Sequence, residues 1–166
     1  MWVTATPFEL GGSVADVWLM LSYVVLLGIG IAQSYVDIRT HRVYVAVTRA
    51  AFAWTASTLA LHAVVVGEME ALVRMAVCAF LLWVGFLLLA RGNESSFGRG
   101  DVRLAPVIGM ALGYFSFGAF VFGVVVMTGI GATWAIVAML REGPHARIPY
   151  VPAMYGGLLA ALVAQG

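Results

Sequence analysis

Two aspartates carry the chemistry this sequence offers. Asp101 ends the tetrapeptide Gly98-Arg99-Gly100-Asp101 directly before the apolar run 102–114, and Asp37 closes the apolar run 17–36. An ionisable residue at membrane depth is expensive and is by default a functional candidate. Two carboxylates held close together cannot both ionise cheaply, so they share a proton and titrate as a pair. The ionised member polarises a water as general base. The protonated member hydrogen-bonds a carbonyl and supports departure of the amine. That pair is sufficient for aspartyl proteolysis at a bilayer surface, with no metal, no cofactor and no covalent intermediate.

The glycines around Asp101 have an expected part in this. Gly98 and Gly100 permit backbone angles closed to other residues and let a substrate strand approach closely. Asp101 is expected near a helix N-terminus, where the dipole favours the ionised carboxylate.

The elements that must position these residues are membrane helices. Of 166 residues, 63% are apolar and 10% charged, and the mean hydropathy is +0.99. Soluble domains average about 25% charged residues. The composition therefore predicts an all-α, polytopic membrane helix bundle forming one domain over 1–166. With about 20 apolar residues per span, six spans are expected at about 14–36, 43–66, 71–90, 102–115, 117–140 and 149–163, joined by short loops. The fourth and fifth are the hardest to separate, because Tyr114-Phe115-Ser116-Phe117-Gly118 carries no charge to mark a loop. Residues 1–12 lack the basic stretch of a signal peptide, so the first span reads as a retained helix.

All nine basic residues are arginines. Six spans with both termini outside place Arg39, Arg42, Arg49, Arg91, Arg99, Arg103, Arg141 and Arg147 on one face, and only Arg74 near the other, beside Glu68 and Glu70. By the positive-inside rule the arginine-rich face is cytoplasmic. Asp37 and Asp101 then share one depth at that face, and helix packing can bring them together.

Other chemistries are less well supported. His41 follows Asp37 by four residues and His145 lies further on, but no H-E-x-x-H pattern supports a metal site, and none is expected. Ser95 and Ser96 lie in a loop and His62 at the opposite face, which leaves no serine nucleophile with its base. Cys78, the single cysteine, excludes an internal disulfide and reads as packing. Gly109, Gly113, Gly118, Gly123, Gly129 and Gly131 have spacings suited to close helix packing. Trp2, Trp18 and Tyr150 read as interfacial anchors. No nucleic-acid partner is expected.

Three blocks, in order, resemble the type IV prepilin peptidases, including the short preflagellin and Tad-type versions. They are Asp37-Ile38-Arg39-Thr40-His41-Arg42-Val43, Gly98-Arg99-Gly100-Asp101-Val102-Arg103-Leu104, and Arg147-Ile148-Pro149-Tyr150-Val151-Pro152-Ala153-Met154-Tyr155-Gly156. The second is close to the family's GxGDxKL with Arg for Lys. The resemblance implies a cytoplasmic-membrane enzyme that cuts the basic leader from pilin-like precursors, with Asp37 and Asp101 as the catalytic pair and Gly98, Gly100 and Arg103 in support. Arg103 either orients Asp101 or meets lipid phosphate. The polar stretch 92–97 is a loop admitting substrate, with Glu94 or Glu142 attracting the cationic leader, or else a solvated linker. Val43-Tyr44 replaces the family's Ile-Pro, so the turn after Asp37 must be built differently. The insertion with Cys-x-x-Cys motifs found in larger members is absent, and N-methylation is not expected. The expected partners are the precursor, membrane lipid and, in a homo-oligomer, a second copy of the chain. The competing reading is a non-catalytic membrane scaffold or a small ion-coupled transporter, in which the acids form structural ion pairs with Arg39 and Arg103 or bind a proton or cation.

Overall fold

The computed structural model describes residues 14–40, 43–92, 98–143 and 148–165, and all regular structure among them is helical. Six helices follow one another: α1 (Val14–Thr40), α2 (Val45–Val66), α3 (Met69–Gly92), α4 (Arg99–Phe115), α5 (Phe117–Glu142) and α6 (Val151–Gln165). Helices α1, α2, α3 and α5 each contain a stretch long and apolar enough to cross a membrane, and α6 is a shorter apolar helix. Their outward faces carry large apolar side chains such as Val24, Ile31, Val65, Val73, Phe80 and Val125. Exposed apolar surface of this extent suits lipid rather than water.

Helix α4 is different. Leu104, Ala105, Val107, Ile108, Met110, Ala111, Leu112 and Tyr114 are all buried in it, so it is covered nearly all round by α2, α3, α5 and α6. A helix apolar around its circumference belongs in the core of a bundle.

Small residues make the enclosure possible. A Cβ on Gly109 would stand 2.6 Å from the Cys78 carbonyl oxygen, and one on Gly113 would stand 2.7 Å from Cys78 Cβ. Helices α3 and α4 therefore pack backbone to backbone, and Cys78 serves as a buried packing residue. Gly157 of α6 lies against the Gly123 carbonyl of α5 in the same manner. Gly118 and Gly129, from the same glycine series, meet nothing closer than ordinary contact.

The uncharged stretch after Tyr114 separates two helices. Ser116 is extended (φ −168°), ends α4, and accepts a hydrogen bond on its hydroxyl from Ala119 N–H at 2.9 Å. One residue thus terminates α4 and caps α5. At this end Arg74 Nη2 donates to the Tyr114 carbonyl at 3.1 Å and lies 3.9 Å from Glu68, placing a cation at the negative end of the α4 dipole. Tyr114 and His62 are hydrogen-bonded beside it. The Tyr23 hydroxyl donates to the Ala111 carbonyl at 2.7 Å, which ties α1 to the C-terminal part of α4.

The close α3–α4 contact gives a paired expectation. Gly109→Ala forces its Cβ into backbone and should lower stability by about 1–3 kcal/mol. Gly28→Ala on α1, where nothing lies within 4 Å, should raise it by about 0.5–1 kcal/mol through helix propensity. Thermal unfolding of both variants in neutral detergent checks the opposite signs.

Candidate active site

Asp37 and Asp101 reach the same end of the bundle on different helices. Asp37 lies in the last turn of α1, which continues beyond the apolar run to Thr40. Asp101 lies in the first turn of α4. Each is 5% exposed, and the charge of Asp37 acts on Asp101. Burial of two carboxylates in an apolar bundle requires hydrogen-bond donors, and helix starts provide them. Gly98 N–H donates to Asp101 Oδ2 at 3.2 Å, while Asp101 N–H donates to the Gly98 carbonyl at 3.1 Å. Val151 N–H, at the first residue of α6, donates to Asp37 Oδ2 at 3.2 Å. Asp37 thus caps a helix from across the fold, using an amide that has no partner within its own helix.

The two glycines do not act as the sequence suggests. Gly98 is extended at φ −75° and ψ 146°, open to any residue, and among the described residues only Gly67 and Gly143 have positive φ. Gly100 is needed for space instead: a Cβ there would stand 2.6 Å from Val43 Cβ. The entry to α2 therefore packs directly onto the entry to α4, and Val43 makes the contact.

Asp101 precedes the apolar stretch 102–115, and its carboxyl is held near neutrality. Burial raises its pKa from 3.8 to about 7, the charge of Asp37 adds to the rise, and the Gly98 hydrogen bond opposes it. The rise is worth roughly 4 kcal/mol, whereas a helix N-terminus offers a carboxylate about 0.3–1 kcal/mol. Burial decides the outcome, and the expected preference for the ionised form is overturned.

Tyr150 was missed by reasoning from the sequence. It is not an interfacial anchor: it is buried, its ring packs edge-on to Phe86 at 5.4 Å, and it lies within electrostatic reach of Asp101. Gly131 leaves no room for a side chain beneath that ring. The third sequence block thereby acquires a structural role, because Tyr150 and the Val151 amide bring α6 to the two carboxylates. The flanking Pro149 and Pro152, suited to a helix start, were the available signal.

Arg103 is exposed and lines a cavity between α2, α3 and α4, and among the described residues it forms no ion pair with Asp101. Glu94 lies outside the described residues. Glu142 ends α5, with its side chain likewise outside them. His41 and His145 also fall outside.

Residues 23–136 match the type IV leader peptidase family. The chain belongs to that family of aspartic peptidases and is a membrane protein with several candidate spanning helices. No curated protein and no solved structure matches it.

The raised pKa sets a pH dependence. Because the folded-state value lies above the unfolded one, the neutral carboxyl favours folding. That contribution is complete below 3.8 and is lost as pH rises through about 7. Wild type should therefore lose thermal stability between pH 4 and pH 8, whereas Asp101→Asn should lose much less; paired melting curves across that range measure the difference.

Proposed function

We propose that this chain is a membrane aspartyl endopeptidase that removes the basic leader of pilin-like precursors at the cytoplasmic face of the cell membrane. The observation that carries this reading is the pair of buried, electrostatically linked carboxylates, one ending α1 and one opening α4, in a chain of the leader peptidase family.

In this mechanism Asp37 is the base and Asp101 the acid. With a pKa of about 7, Asp101 keeps its proton under mildly acidic to neutral conditions and hydrogen-bonds the scissile carbonyl. Asp37 takes a proton from the attacking water, the water oxygen bonds to the carbonyl carbon, and Asp101 gives its proton to the carbonyl oxygen. The C–N bond then breaks: Asp37 gives its proton to the departing amine while Asp101 takes back a proton from a diol hydroxyl as the new carboxyl C=O forms, which returns the pair to its starting state. The α6 start supports this division by supplying the Val151 amide to Asp37. Six arginines with described backbone, Arg39, Arg49, Arg91, Arg99, Arg103 and Arg141, lie near helix ends on the same side of the bundle as the acids, which supports a cytoplasmic orientation by the positive-inside rule.

A co-expressed pilin-like precursor, scored by gel shift, tests the reading. Wild type should cleave it, and Asp37→Asn and Asp101→Asn, at equal expression, should each lose at least about 100-fold in rate, the scale of a general acid or base. Cleavage should also decline as pH rises through about 7 and Asp101 deprotonates. Persistent cleavage by either variant would refute the paired-acid mechanism.

A further inference from the structure

We propose that the cavity between α2, α3 and α4 is a binding site for one anionic phospholipid. The cavity has a volume of about 450 Å³ and is lined by Val45, Thr48, Arg49 and Phe52 of α2, Trp83 of α3, and Arg103 and Pro106 of α4. It exists because α2 and α3, joined by a tight turn at Gly67, touch only sparsely, while each packs more closely on α4. The hairpin is closed at Gly67 and opens toward the end that bears the arginines.

The chemistry of the lining changes with depth. Arg49 and Arg103 each lie four residues into their helices, about 6 Å along the axis, whereas Trp83 lies nine residues, about 13 Å, from the end of α3. Two cations thus stand above an aromatic and aliphatic wall, the order of a phospholipid's phosphate and acyl chains. Among the described residues, no acidic side chain lines the cavity. The Thr48 hydroxyl is already committed, accepting from Gln33 Nε2 and donating to the Tyr44 carbonyl, each at 3.2 Å, so the arginines are the groups left to receive an anion. Phe52 and Trp83 are partly exposed and continue into the outward apolar face at Val47 and Phe80, which lets acyl chains enter from the bilayer. A purely apolar helix would leave both arginines without a counter-charge, and a basic peptide would be repelled by them. A lipid phosphate answers both requirements, and Arg is well suited to hold it.

Native mass spectrometry of the full chain, loaded with equal amounts of phosphatidylglycerol and phosphatidylcholine in neutral detergent, tests the site. Wild type should retain phosphatidylglycerol in preference. Arg49→Gln and Arg103→Gln should each weaken that retention about fivefold, the scale of one arginine at an anionic surface. Arg91→Gln, at the same end but outside the cavity, should leave it unchanged, and Arg103→Lys should keep most of it. Melting curves establish that the variants are folded. Retention unaffected by both glutamine variants, or equal retention of the two lipids, would overturn the proposal. So would displacement by inorganic phosphate, which would make this a free-anion site, or displacement by an acidic peptide, which would assign the cavity to a protein.

Discussion

Removing a carboxylate from water costs several kcal/mol unless hydrogen bonds and neighbouring charge compensate, and this chain buries two of them at one end of an apolar bundle. The rest of the fold is arranged around that cost. Asp37 is received by the first amide of α6 and Asp101 by the amide of Gly98. Neither bond removes the whole penalty at Asp101, whose proton is therefore held to about pH 7. An acid that stays protonated near neutrality beside a second acid is what proton transfer in both directions requires.

The position of Asp101 depends in turn on α4. This helix is the core of the bundle, and its approach to α3 is set by glycines rather than by interlocking side chains. In lipid, where helices gain little by excluding apolar surface from water, such close backbone contact is a principal source of association. One end of α4 is fixed by the Tyr114, His62 and Arg74 contacts, and the other by Val43 packed on Gly100. The first turn carrying Asp101 is thereby held between fixed ends. Arg103, two residues further along, lines a separate cavity between α2, α3 and α4.

Much of this was legible in the sequence where one residue type in one setting has few meanings. An aspartate bordering an apolar run is costly enough to announce itself, and apolar runs of spanning length define helices. Tertiary choices were not legible. Tyr150 at the edge of a span reads as an anchor, because a phenol at an interface and a phenol packed on Phe86 have the same local sequence. Gly100 reads as a flexible turn residue, since the reason for its missing side chain is Val43, more than fifty positions away. The break at Ser116 falls where the sequence expects it, between 115 and 117, but the cap that Ser116 forms on α5 does not show in an uncharged stretch. The helix dipole at Asp101 acts in the expected sense but is outweighed by burial, whose depth depends on helices distant in the chain.

Electrostatic linkage between the two carboxyls is the central claim, and an infrared titration of the carboxyl C=O band measures it most directly. Subtracting the Asp101→Asn spectrum isolates the Asp101 signal in purified wild type, and subtracting the spectrum of the double variant isolates it in Asp37→Asn. The wild-type band should titrate near pH 7 and move lower in Asp37→Asn, while remaining above 3.8 because burial, the larger cause, persists. Titration of Asp101 in the ordinary carboxylate range, or at an unchanged pH after Asp37→Asn, would contradict it.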